Sequence, residues 1–395
     1  MRAVVIGGGI GGLVTAVALR RAGIEAVVHE VRGGPAASAG LFLGLGVNGM
    51  RVLAELGLLE ALLSADVVPT PVMEFGSWTG RRLGRVSNGW LEGGVPSVTI
   101  MRGELQRVLA EAAAERGVEV RYGKRFVAYE DLGDRVVARF EDGSEVEGDV
   151  LIGADGLRSR VRGQMLPEAP GPRYTGLLNL GGAVERSGLE PTPDTMRMLW
   201  GRRAFFGYTV RPTGEAWWFA NIGLEREPGR GELRAITTAE WKRRLMELFE
   251  SDPSFVWALI EATDEIGAFP IHDMPSIPAW HRGRVVLVGD AAHAVSPSSG
   301  QGASMAMEDA ITLAKCLRDI GGPGVAFARY EALRRERAER IVEAGRRRGA
   351  YKAVENRAAV FVRDLVMPVV FRLFVRDGAL SWIYDHGIRW EERVV

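Results

Sequence analysis

The pattern Gly7-x-Gly9-x-x-Gly12 stands between a strand-like run, Arg-Ala-Val-Val-Ile at residues 2–6, and a helix-like run that begins at Leu13. A second β-rich run, Ile24 to His29, closes on Glu30, 18 residues past the last glycine. Few folds accommodate that order of strand, glycine turn, helix and strand. Gly7 permits the tight turn, Gly9 lets a pyrophosphate approach the backbone, and Gly12 lets helix and strand pack closely. The helix N-terminus adds unpaired N–H groups and a partial positive charge. Glu30, at the end of the second strand, can accept both ribose hydroxyls. The context, more than the pattern alone, points to dinucleotide binding. The bland alternative is a glycine-rich βα turn with no ligand.

A second match, Gly44-x-Gly46-x-x-Gly49, follows too soon after Glu30 to have its own βαβ unit. We read it as a loop that needs backbone freedom near a ligand, not as a second nucleotide fold. Helices are expected over Gly49–Leu63 and Arg102–Arg116, with one or two more over 234–262. Short strands with a hairpin at Asp142-Gly143 are expected over 118–152. Residues 71–100 and 176–275 are β-like and aromatic, and they interrupt the strand–helix alternation. The expected architecture is α/β. A Rossmann-like domain is assembled from 1–70, 101–175 and 276–325. A mixed β-sheet domain is inserted as 71–100 and 176–275, and a C-terminal helical segment spans 326–395.

Composition narrows the function. Fifty Lys+Arg balance fifty Asp+Glu in 395 residues, so the basic bias of a nucleic-acid binder is absent. The lone Cys316 excludes an internal disulfide and a Cys-based zinc site, and the five histidines lack ligand-like spacing. No apolar run approaches the ~20 residues of a membrane span, and no signal peptide is visible. A soluble cytoplasmic protein is expected. The apolar, arginine-spaced segment 359–375 is expected to pack against the protein rather than a membrane.

Two more motifs follow. A buried strand at 285–288 ends in Gly289-Asp290, and a turn with Pro297, Gly300 and Gly302 leads into a helix near Ala303. An Asp at a strand's end can accept a ribityl or ribose hydroxyl. A glycine-flanked helix N-terminus can stabilise an anionic ring or oxygen. Residues 151–162 form another strand ending in Asp155-Gly156. Together, in order and spacing, these motifs resemble the FAD-dependent aromatic hydroxylases, the single-component flavoprotein monooxygenases related to p-hydroxybenzoate hydroxylase. The similarity runs over nearly the whole chain, including Trp280 and the late Trp382-Ile383-Tyr384-Asp385.

The resemblance implies FAD as cofactor and NAD(P)H as a transient co-substrate. Gly7, Gly9, Gly12 and Glu30 would hold the ADP half. Arg102, in Met101-Arg102-x-x-Leu105, would contact FAD near its diphosphate and ribityl. Asp290 would bind the ribityl or diphosphate region, and Pro297 with Gly300, Gly302 and Ala303 would line the isoalloxazine. Asp155 and Gly156 would serve FAD and nicotinamide together, although Asp155 could equally cap a following turn. His293 reads as a packed structural histidine, and the arginine-rich stretch Arg334–Arg348 as a solvated helix. The implied partners are O2, NAD(P)H and a small aromatic molecule. The implied reaction is hydroxylation or epoxidation through a flavin C4a-hydroperoxide.

No catalytic base can be named. Phe205-Phe206-Gly207-Tyr208 and Trp217-Trp218-Phe219 look like paired strands, in which alternate residues share a face. Phe206, Tyr208 and Trp218 are assigned to the face toward the flavin, as substrate-pocket lining or as plain sheet core. A flavin-dependent halogenase would need a Trp-x-Trp-x-Ile-Pro stretch, which is missing. A flavin-dependent reductase or desaturase, and a non-catalytic flavin-binding protein, stay open as alternatives.

Overall fold

In the computed structural model the run Arg2–Ile6 becomes a central strand of a six-stranded sheet. The structure describes residues 1–35, 41–350, 357–374 and 380–394. The sheet order is His281–Arg282, Val285–Leu287, Val150–Gly153, Arg2–Ile6, Glu25–His29 and Glu119–Arg121. All neighbours are parallel except the first pair. Val150–Gly153 and Val285–Leu287 are wholly buried, as expected of strands covered on both faces, which read as continuous apolar runs rather than alternating ones.

Two helices pack side by side on this sheet. One is Ile10–Arg21, which follows the first glycine motif, and the other is Gly302–Asp319, which follows the third. Their close approach depends on small residues: a Cβ on Gly11 would stand 3.3 Å from that of Ala306. The helix expected over Gly49–Leu63 is two pieces, Val47–Glu55 and Leu59–Leu63. Gly57 breaks it by taking φ +68° between them. The hairpin at Asp142-Gly143 forms, with Gly143 at φ +79°.

The second sheet has seven strands, in the order Gly267–Asp273, Arg173–Val184, Ala216–Gly223, Phe205–Val210, Thr195–Trp200, Val72–Ser77 and Arg82–Ser87. Val72–Ser77 and Thr195–Trp200 pair in parallel, which joins the two inserted regions, and the other pairs are antiparallel. One face of this sheet is sealed by Thr238–Leu248 and Ser254–Ala262, which together form a second hydrophobic core. The other face meets the first domain.

After Gly302–Asp319 come Pro323–Ala350, Arg357–Phe374 and the short Ser381–Tyr384. Arg357–Phe374 lays Phe371 directly against Gly84, 5.4 Å from the Phe75 ring and 6.0 Å from Trp200. Its opposite face leaves Val362, Leu365, Val366 and Val369 exposed. The expected packing against the protein therefore accounts for one face of this helix only. No described helix is long and apolar enough to cross a membrane.

Candidate functional site

The first glycine motif folds as its spacing demands. Gly7 takes φ +109°, and a Cβ there would collide with the Ala154 carbonyl of the neighbouring strand. A Cβ on Gly12 would run into the Gly7 carbonyl. Gly9 differs, because nothing lies within 4 Å of where its Cβ would stand. Two of the glycines thus serve packing, and the third keeps a space open. Glu30 is buried and braces the turn, its Oε2 accepting the Gly8 N–H at 2.6 Å. Gln106 adds a donor to the Gly8 carbonyl at 2.8 Å.

The helix beginning at Ile10 has no side-chain cap and no acidic residue in its first turn. The same holds for the 18-residue helix beginning at Gly302. Uncapped N-termini leave N–H groups unsatisfied and carry the positive end of the helix dipole. Here two such ends lie together, brought close by the Gly11–Ala306 contact. Gly300, at φ +65°, again keeps open space beside it. Pro297 begins the short 3-10 turn ahead of it, and Ala303 lies in the helix's first turn.

Arg102 and Asp290 complete this groove. Arg102 begins the helix Arg102–Glu115, and Asp290 follows Gly289, which turns at φ +59°. Both side chains are open to solvent in the groove. Asp155 acts as a cap. Its Oδ2 accepts Arg160 N–H at 2.7 Å and Val161 N–H at 3.2 Å. Burial raises its pKa, and its Oδ1 has no partner among the described residues. Gly156 makes the turn beside it at φ +77°.

Sequence reasoning missed the polar girder behind the groove. His293 Nε2 meets Asp309 Oδ2 at 2.5 Å, and that oxygen also accepts the Gly289 N–H at 2.8 Å. Arg334 Nε donates to Asp309 Oδ1 at 2.8 Å and pairs with Glu308 at 2.6 Å. Glu308 accepts from Arg337 at 2.9 Å and from Asn48 Nδ2 at 2.7 Å, and Asn48 also reaches Gln301 Oε1 at 2.9 Å. Burial favours protonated acids here, but Arg334, then Arg337, hold Glu308 at about 2. His293 and Arg334 likewise hold Asp309 at about 2. His293 is thus the packed residue expected, its ring tilted against Trp280 with the centroids 4.9 Å apart. Arg334 and Arg337 correct the solvated-helix reading, since Arg334 is 1% exposed. A signal was present: Tyr330, Arg334, Ala338, Ile341 and Gly345 form one buried helical stripe.

The aromatic strands also need correction. Phe206, Tyr208 and Trp218 do share a face, but it is the face sealed by the helices. Phe206 stacks on Trp218 at 5.3 Å and meets Phe249 edge-on at 5.5 Å, while Tyr208 packs 5.0 Å from Phe255. The face toward the cofactor groove carries the alternate residues. Phe42, on the strand Phe42–Leu45 that leads to Gly46, lies 5.9 Å from both Trp217 and Phe219. The alternation holds, the face is opposite to the one expected, and the packing of these three residues matches the plain-core alternative. A separate hollow of about 310 Å³, lined in part by Ile277, Trp280, Glu339 and Arg346, touches the third motif only through Ala292 and His293.

A FAD molecule fits these residues, because the open cradles at Gly9 and Gly300 and the paired helix N-termini present donors without side-chain competitors. Comparison with known proteins agrees. Residues 1–345 match the family model of the FAD binding domain. Aurachin C monooxygenase/isomerase of Stigmatella aurantiaca is 36% identical over 377 residues, 92% of each chain. The 6-hydroxynicotinate 3-monooxygenase of Pseudomonas fluorescens is 32% identical, over 86% of this chain and 89% of its own. Klebsiella pneumoniae HpxO, solved with FAD and uric acid, superposes with a TM-score of 0.82 at 28% identity, over 97% of this chain and 95% of its own. The chain belongs to this FAD-binding family, that of the FAD-dependent aromatic hydroxylases.

Proposed function

We propose that the chain is a monooxygenase that uses NAD(P)H and O2 to place one oxygen atom on an aromatic or polycyclic small molecule, by hydroxylation or epoxidation. The carrying observation is the pair of uncapped helix N-termini, at Ile10 and Gly302, opening on one groove beside an apolar sheet face. The relatives support the substrate class, since their names cite aurachin C, 6-hydroxynicotinate and urate.

FAD, when bound, supplies the electron transfer and oxygen activation. Gly7, Gly9 and Gly12 with Glu30 would hold its ADP half, and Arg102 with Asp290 the diphosphate and ribityl region. The backbone of Pro297, Gly300, Gly302 and Ala303 would meet the ring, where the helix dipole favours negative charge. Asp155, committed to its cap, would position Gly156 at the groove edge. Phe42, Trp217 and Phe219 would keep water from the reacting centre.

The visible spectrum of the purified protein, with the released cofactor identified, tests the first half. Substrate-dependent NAD(P)H consumption with matched O2 uptake tests the second. A reductase consumes NAD(P)H without needing oxygen, and a non-catalytic flavin binder consumes none. A protein that refuses added FAD overturns the assignment.

A further inference from the structure

The sheet face beside the cofactor groove carries a second pattern. Strand register places Phe219, Gly207, Met198, Phe75 and Gly84 in one straight row across five strands. At about 4.8 Å per strand the row is about 19 Å long. The Phe219 ring and the Met198 Sδ both lean over Gly207, so that any Cβ there would collide with them. They make an unbroken apolar floor. At one end stands Phe42, next to the cofactor cradle. At the other, Phe75, Trp200 and Phe371 form an aromatic cluster, with Phe371 seated on Gly84.

Charge is partitioned sharply across this sheet. The strands Val72–Ser77, Thr195–Trp200, Phe205–Val210 and Ala216–Gly223 contain two charged residues, Glu74 and Arg197. Register places both on the opposite face, in line with Tyr208. On the groove side a polar pair stands at the Phe205 end, where Asn221 Nδ2 donates to Asn179 Oδ1 at 2.8 Å. Closure varies along the groove face. Phe205 and Trp217 are as fully buried as Phe206 and Trp218 on the other face, whereas Met73, Phe75, Met198, Trp200 and Phe219 are only half-buried. Half-buried apolar side chains in a charge-free row suit an apolar ligand.

Resting on the monooxygenase reading above, we propose that the substrate is an uncharged aromatic compound carrying a long apolar chain. Its ring sits by Phe42 and Phe219, near the Asn179–Asn221 pair. Its chain runs along the row over Met198 toward Phe75 and Phe371. Removing each methylene from water favours binding, so affinity climbs with chain length. A carboxylate on the ring is disfavoured, because the described cations nearest this face, Arg211 over Trp217 and Arg363 over Trp200, are already paired with Asp66 and Glu215 and with Asp364, and neither is free to offset its desolvation.

The test uses the FAD-loaded full chain and three probes of one ring type: resorcinol, 4-hexylresorcinol and 2,4-dihydroxybenzoate. Binding is read from the perturbation of the flavin absorption spectrum. The hexyl compound is expected to bind at least about tenfold tighter than resorcinol, and the carboxylate weaker than both. Met198→Glu is expected to shrink the hexyl-to-resorcinol ratio toward one. Equal affinity for resorcinol and its hexyl derivative, or no binding of either, overturns the proposal, as does preference for the carboxylate. The wild-type comparison decides the matter even where the variant folds poorly. NAD(P)H-driven O2 uptake with a short or carboxylated ring but no chain preference leaves the monooxygenase reading standing and sinks this one. Failure to take up FAD sinks both.

Discussion

The Arg334 guanidinium donates to Asp309 at 2.8 Å with both side chains sealed from water, and Asp309 in turn receives the Gly289 N–H at the cofactor groove. A surface ion pair would contribute little. This pair is enclosed, so removing one partner strands the other's charge. Arg334→Met is expected to cost about 3–5 kcal/mol, read from the urea midpoint at a fixed FAD concentration. Because Asp309 also fixes the turn carrying Asp290, the variant should lose FAD affinity as well. A change below about 1 kcal/mol, within the range of surface pairs, would show the girder to be dispensable.

The same network sets an acid limit. Glu308 and Asp309 have ordinary values of 4.5 and 3.8, and both are held at about 2 in the fold. Their folded pKa values are depressed, so the stability they contribute is fully present above the unfolded values. It is lost as pH falls from about 4.5 through about 2. Urea midpoints are therefore expected to drop steeply across that window. Glu308→Gln should flatten the slope while lowering stability at neutral pH. An unchanged slope in that variant would mean that other carboxylates carry the acid transition.

The glycines of the first motif predict a split between folding and binding. Gly12→Ala forces a Cβ into the Gly7 carbonyl, a backbone atom that cannot give way, so the variant should fold poorly. Gly9→Ala meets nothing within 4 Å, and Gly9 has φ −76°, which any residue adopts. It should fold with a near-normal thermal midpoint when stripped of cofactor, yet bind FAD more weakly. Apo-protein calorimetry and a FAD titration separate the two. Equal FAD affinity in Gly9→Ala would remove the pyrophosphate from that space.

The contrast between these residues shows what was readable in the sequence. Gly7, Gly9, Gly12 and Glu30 lie close together in the chain, and their spacing alone sets the turn, so their arrangement was legible. The same holds for Gly289-Asp290 through Gly302. The Arg334–Asp309–His293 girder joins residues from separate elements, and an arginine-rich helix reads as solvated unless its apolar stripe is traced through Arg334. The strand pair at 205–219 was legible in its alternation but not in its orientation. Parity is a local property. Which face meets the groove depends on Phe42 and on the two helices over the opposite side, contacts that no local pattern encodes.

Asp252 offers a prediction of the opposite sign to the girder. Burial raises its carboxyl to about 7, with the Arg202 N–H its bond at 3.2 Å and its Oδ2 without a partner among the described residues. A raised carboxylate favours folding when protonated. Its contribution is fully present below the ordinary value of 3.8 and declines as pH rises through about 7. Asp252→Asn, neutral at every pH, is expected to raise the urea midpoint at pH 8 and to leave it nearly unchanged at pH 4. Equal effects at both pH values would mean that packing, not ionisation, dominates at this site.

Phe206 and Phe219 lie on opposite faces of one sheet and should respond oppositely. Phe206 is fully buried between Trp218 and Phe249. Truncating it leaves a cavity that neighbouring rings cannot fill, so Phe206→Ala should cost about 3–5 kcal/mol. The FAD-loaded fraction that survives should keep its ligand affinity. Phe219 is half-buried, and its ring lies across Gly207 on the groove face. Phe219→Ala should cost less stability but weaken aromatic ligands and raise the fraction of NAD(P)H consumed without product, because water then reaches the reacting centre. Urea melts and the ratio of product to NAD(P)H consumed check both variants together. If Phe206→Ala altered that ratio while Phe219→Ala altered only stability, the assignment of the two faces would be reversed.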